Sequence, residues 1–180
     1  MHDQGVSDLL RAPFPYFGGK RAVAEMLWSR LGSPRQYIEP FCGSAAVLLA
    51  APSPASLEVV GDVNCYIANF WRAVKHQPDA VAEAADYPVS HIALAARHRW
   101  LVEPERVRAL AAALADPEWP GDAKIAGWWC WGQCAWIGSG WCDGGTGDAP
   151  TDRPTDRPTD RPTKSRSSAT AGGESNGKVP

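Results

Sequence analysis

An α/β fold built on a parallel sheet, followed by a helical segment and a low-complexity tail, is what this 180-residue sequence predicts. Three observations carry that prediction. Short apolar strands alternate with amphipathic helices from Arg11 to about Ala85, and strand, helix, strand, helix implies parallel strands joined by crossovers. From about Tyr87 to Cys142 the strand signals stop and helical patterns take over. Beyond that, Pro-Thr-Asp-Arg recurs from Pro150 to Thr163 and gives way to Ser, Gly, Lys and Thr, a composition that cannot offset the ordering entropy of folding. The expected units are an α/β region at 11–85, a helical Trp-rich subdomain at 86–142 and a disordered tail at 143–180.

Each element has a local reason. Ala22 to Leu31 places Val23, Met26, Leu27 and Leu31 on one helical face, and Gln36 to Phe41 reads as a strand. Ser44 to Ala51 is expected as the next helix, ended by the segment Pro52 to Ala55. Leu57-Glu58-Val59-Val60 is the second strand, and Asn64 to Lys75 carries Ile67, Phe70, Trp71 and Val74 at helical spacing before Pro78. Ser90 caps a helix to about Val102, Pro104 opens one over Glu105 to Ala115, and Asp122 starts a third bearing Ile125, Trp129, Gly132 and Trp136 on one side.

Composition narrows the function classes. A hydrophobic content of 44% with nine Trp supplies one core, and a net charge of −2 with a pI near 6.1 gives no global nucleic-acid signature, so any DNA contact must be local. No run of 18 apolar residues exists and the first residues are polar, so no membrane span or secretory signal is indicated and a cytoplasmic protein is expected. Five cysteines at irregular spacing argue for reduced thiols rather than a disulfide framework. Cys130, Cys134 and Cys142 lack a second C-x2-C or a nearby His pair, so no metal site is expected and buried small hydrophobes is the better reading.

Chemistry concentrates in the first region. Phe14-Pro15-Tyr16-Phe17-Gly18-Gly19-Lys20 precedes Tyr37-Ile38-Glu39-Pro40-Phe41-Cys42-Gly43-Ser44-Ala45-Ala46-Val47-Leu48-Leu49, a strand breaking into a small-residue turn. Such a turn puts the unpaired amides of the helix expected from Ser44 at the carboxyl edge of a parallel sheet and lets backbone approach a polar ligand, with Gly43 permitting the contact. Asp62 follows the second strand, nineteen residues after Gly43, at the spacing where an acid reaches ribose hydroxyls. Lys20 would supply a cation near a carboxylate or another anionic group. A phosphate-cradling loop fails because Phe14 stands where its first glycine should be and Arg21 follows Lys20, and a nicotinamide fingerprint fails at Ala45 and Leu48.

Those two segments, with Gly61-Asp62-Val63-Asn64 and Ile67-Ala68-Asn69-Phe70-Trp71-Arg72, closely resemble in order and spacing the amino-terminal half of the Dam-type adenine-specific DNA methyltransferases, in the manner of phage-borne members. The resemblance covers about residues 12–80 well and the Trp-rich segment more loosely. It implies a Rossmann-like sheet binding S-adenosylmethionine, with Tyr16 beside the cofactor, Lys20 contacting it, Asp62 on the ribose, and Glu39 and Phe41 lining the crevice. It also implies double-stranded DNA as partner, with the helical segment at 86–142 as a DNA-recognition subdomain, and methyl transfer to the exocyclic amine of a flipped adenine. The family's pattern usually has glycine where this chain has Ala45, a departure of one methyl.

The family's Asp-Pro-Pro-Tyr type motif is not found. Asp116-Pro117-Glu118-Trp119 has a similar order, but it follows an alanine-rich helix rather than a strand and Glu118 replaces the second proline, so it reads as a helix-ending loop and no catalytic residue is identified. The resemblance therefore looks incomplete. A frameshift or premature stop would produce the change into the tail, with a natural short product as the rival, and an incomplete sheet would expose an edge that favours poor solubility or self-association. The Trp-rich segment is read as core or an interface ahead of base stacking, and Arg97 and Arg99 are the candidate phosphate contacts against a solvated helix face. Two functional expectations stand side by side: an adenine methyltransferase inactive as this chain, and a non-catalytic cofactor- or DNA-binding fragment.

Overall fold

A computed structural model describes residues 10–16, 18–137 and 141–142, so the expectation for 143–180 lies outside the described residues. Its two strands, β1 (Gln36–Glu39) and β2 (Leu57–Val60), pair in parallel, with Gln36 opposite Leu57 and Glu39 opposite Val60. Around them lie α1 (Arg21–Leu31), α2 (Cys65–His76), α3 (Pro78–Ala85), α4 (His91–Leu101), α5 (Pro104–Leu114) and α6 (Ala123–Ala135). The described chain is thus mixed α/β, with a two-stranded parallel sheet. No helix among the described residues is long and apolar enough to cross a membrane.

Two local expectations are corrected. In α1 the buried pair is Ala24 and Trp28, one turn apart, whereas Val23, Met26 and Leu31 are exposed. The Trp28 indole N–H donates to the Val47 carbonyl at 2.7 Å and its ring lies 5.0 Å from that of Tyr37, so the one side chain that can both fill space and satisfy a buried carbonyl sets the face. The segment from Ser44 to Ala51 is a series of turns ending in a short 3-10 helix, Leu48–Ala50, rather than an α-helix. Gly43 and Ala45 both sit at φ +51°, and a left-handed residue cannot continue a right-handed helix.

Three of the remaining helices follow their side-chain caps. Asn64 accepts the Tyr66 amide to start α2, Ser90 accepts the Ala93 amide to start α4, and Asp122 accepts the Ile125 amide to start α6. Helix α3 was not anticipated: Pro78 closes the α2 pattern, but it also occupies the first position of a new helix, where its missing N–H costs nothing.

Helix α2 and the later helices share one core. Trp129 of α6 is fully buried; its ring stacks parallel on Tyr66 of α2 and meets Phe14 edge-on at 4.8 Å, while Phe14 in turn meets Phe70 at 5.1 Å. Helices α3 and α6 touch so closely that a Cβ on Gly127 would come within 2.5 Å of the Ala84 methyl and 2.6 Å of the Val81 carbonyl oxygen. Polar contacts lock the same join. The buried Asn69 amide donates to the Asp122 carbonyl (3.0 Å) and accepts the Asp122 N–H (2.7 Å), and Arg72 donates to the Asp116 carbonyl at 2.7 Å beyond the end of α5.

Candidate cofactor site

The parallel pairing of β1 and β2 brings both carboxyl ends to one place, and a short ladder continues past them. Gly61 N–H donates to the Glu39 carbonyl and Cys42 N–H to the Gly61 carbonyl, each at 2.9 Å. Asp62 then bridges the two chain turns: one carboxylate oxygen accepts the Gly43 N–H at 2.9 Å, the other the Asn64 N–H at 3.0 Å. A carboxylate has about four lone-pair sites, so two further acceptor positions remain on this half-exposed side chain.

Lys20 reaches the same turn from the amino-terminal segment. Its ammonium donates to the Phe41 carbonyl at 2.5 Å and pairs with Glu39 Oε1 at 2.6 Å, and Tyr37 donates its hydroxyl to the other Glu39 oxygen at 2.9 Å. Glu39 Oε1 finds no hydrogen-bond geometry in this arrangement, so its charge is met by the ion pair alone. Burial, then the hydrogen bond to Glu39, pushes the Tyr37 phenol well above its ordinary range. The Cys42 thiol is pushed up to about 11 by burial, then by the charges of Asp62 and Glu39. Both groups are therefore neutral at physiological pH.

Tyr16 lies across Gly43. A Cβ there would stand 2.8 Å from the Tyr16 ring, so glycine is required twice, for the ring contact and for the left-handed backbone. The Gly43 carbonyl in turn accepts the Trp71 indole N–H at 2.8 Å. Phe41, by contrast, is 70% exposed at the rim. Of the residues singled out from the sequence, Lys20, Glu39, Gly43 and Asp62 are joined by direct contacts through this turn, Tyr16 covers it and Phe41 edges it. The sequence reading missed Tyr37, Trp28 and Trp71 as its fasteners. Trp28 and Trp71 are indoles placed on helices to reach turn carbonyls, a signal that only their polar N–H could have given.

One expectation about the turn is corrected. The unpaired amides of a helix at Ser44 are not what faces this edge, because that helix does not form and the Gly43 and Ala45 amides are already bonded, to Asp62 and to the Cys42 carbonyl. Nor is Ala45 a neutral departure. It is buried and at φ +51°, a conformation that costs a non-glycine residue about 1–2 kcal/mol.

Residues 16–92 match the family model of the D12 class N6 adenine-specific DNA methyltransferases. This segment is similar to that family. No curated protein and no solved structure matches the chain significantly. The matched segment runs from Tyr16 through α1, β1, the turn, β2, α2 and α3 to the first residues of α4, so it contains the whole clasp around Asp62.

Three candidates lie outside that clasp. Arg97, expected to face phosphate, is 8% exposed: its guanidinium sits 4.1 to 4.6 Å from the ring centres of Tyr87, Trp131 and Trp128, and one terminal nitrogen is buried without a partner. The period that puts it on α4 also turns it toward α6, so its charge is spent on aromatic faces rather than on solvent. Arg99 is exposed. Asp116 is exposed just past α5 and accepts the Glu118 amide in a local turn at 2.9 Å, the helix-ending role its sequence context suggested.

Proposed function

We propose that the turn clasped by Lys20, Glu39 and Asp62 binds S-adenosylmethionine, in a chain of the adenine-specific DNA methyltransferase type with a Rossmann-like parallel sheet. The observation that carries this reading is the Asp62 bridge at the carboxyl ends of two parallel strands, where α/β folds bind ligands. The residues present suit the cofactor. Asp62 retains acceptor positions for ribose hydroxyls, Phe41 offers an exposed aromatic face to a purine, Tyr16 covers the turn, and Lys20 carries three N–H donors of which the Phe41 carbonyl takes one. Bound there, the cofactor supplies a sulfonium methyl group for transfer to the exocyclic amine of adenine.

The helical region from 86 to 142 is proposed as the part that meets double-stranded DNA, with Arg99 as a phosphate contact, and it is docked on the cofactor region through Trp129 and the Asn69–Asp122 pair. A second reading, binding without transfer, is favoured by one observation: the sequence carries no Asp-Pro-Pro-Tyr type motif to present the amine. Labelled S-adenosylmethionine separates the two. Retention of the cofactor by the chain in equilibrium dialysis supports the site, and label appearing in adenine of added DNA supports transfer. Equal retention by Asp62→Ala and the unaltered chain would sink the assignment.

A further inference from the structure

We propose that Cys130 and Cys134 form a two-thiolate site for a soft d10 cation of the Cu(I) class. The two residues stand four apart on α6, which puts both side chains on one face. Their sulfurs converge: Sγ of Cys134 lies 3.6 Å and Sγ of Cys130 4.0 Å from a single atom, the Pro13 carbonyl oxygen.

Helical spacing decides what such a pair can do. Residues four apart on a helix have Cβ atoms about 5–6 Å apart, beyond the roughly 3.5–4.5 Å that a disulfide spans. The intact helix therefore keeps the sulfurs from closing on each other and leaves room for a one-atom bridge. Thiolate pairs select soft monovalent copper, and two-coordination asks for no third protein ligand. Harder metals with higher coordination have no comparable site, because no group of three or more His, Cys, Asp and Glu converges among the described residues. Contrary to the expectation of buried thiols, Cys134 is exposed and Cys130 half-buried, so access is open on one side, whereas Cys42, Cys65 and Cys142 are buried. On binding, both S–H bonds break, two metal–sulfur bonds form and two protons leave to solvent, with no change of oxidation state.

The test uses the full reduced chain and Cu(I) delivered as its acetonitrile complex under argon, against a chromophoric Cu(I) chelator. One equivalent of Cu(I) is expected to leave the chelator, and Cys134→Ser, a substitution at an exposed position that keeps the fold, should weaken that withdrawal at least tenfold. Iodoacetamide labelling with peptide mapping gives the second readout, in which Cu(I) shields Cys134 from alkylation. Full Cu(I) withdrawal by Cys134→Ser, or unchanged labelling of Cys134 in the presence of Cu(I), overturns the proposal.

Discussion

Replacing Gly43 by Ala tests the contact on which the site is built. The added Cβ would stand 2.8 Å from Tyr16 Cδ1 and 3.2 Å from Cε1. Unstrained carbon contacts begin near 3.5 Å, so the ring must retreat by about 0.7 Å. The backbone adds its own cost: at φ +51° a non-glycine residue loses about 1–2 kcal/mol, offset by about 0.4–1 kcal/mol because alanine restricts the unfolded chain. With the displaced ring, a net loss of about 1–2 kcal/mol is expected. Urea denaturation of the unaltered chain, Gly43→Ala, Tyr16→Ala and the double variant closes a cycle. In the Tyr16→Ala background the steric part disappears, leaving a coupling of about 0.5–1 kcal/mol between the two positions. Strict additivity would show that the Tyr16 ring does not rest on Gly43, and the covered turn would fall with it.

Asp62→Ala removes the acceptor for two backbone amides, so it should lower stability by about 2–3 kcal/mol as well as abolish cofactor retention; unchanged denaturation midpoints would contradict the bridge. Arg97→Ala should cost about 2 kcal/mol through its three aromatic contacts yet leave the salt dependence of DNA binding unaltered, whereas Arg99→Ala should do the reverse, reducing the slope of log affinity against log salt. Asn69→Ala strands both backbone groups of Asp122 and should destabilise by about 2–3 kcal/mol, read from the urea midpoint. Cys42 and Cys65 are both raised from 9.0 to about 11 in the fold, chiefly by burial. Between those values the unfolded chain has lost protons that the folded one keeps, so stability is intact below pH 9 and falls as pH rises toward 11. Cys42→Ala should flatten that decline in urea titrations run across the window.

Much of the secondary structure was legible because its signals are local. The second strand, the Asn64, Ser90 and Asp122 caps and the run of helices from α4 to α6 follow from periodicity and capping chemistry, which act over a few residues. Lys20, Gly43 and Asp62 were legible for a different reason: each is a residue type whose charge or backbone freedom a turn at a strand end requires, and their order along the chain survives folding. Elements whose fate depends on a distant partner were not legible. Val23 and Met26 fit a helical face as well as Ala24 and Trp28 do, and Ser44 to Ala51 is helix-compatible until residues 43 and 45 turn left-handed.

By itself, the sequence determined the two strands and the starts of most helices, though not α3 or the fate of Ser44 to Ala51, and it singled out Lys20, Glu39, Gly43 and Asp62, which the fold brings to one turn. Tertiary structure alone decided how charge is shared. Lys20 is bound by Glu39, Arg97 faces inward over three aromatic rings although burial disfavours its charge, and Asp62 serves backbone amides before any ligand. Those outcomes depend on atoms brought together from residues far apart in the chain, and no local propensity encodes which carboxylate or ring a cation will find.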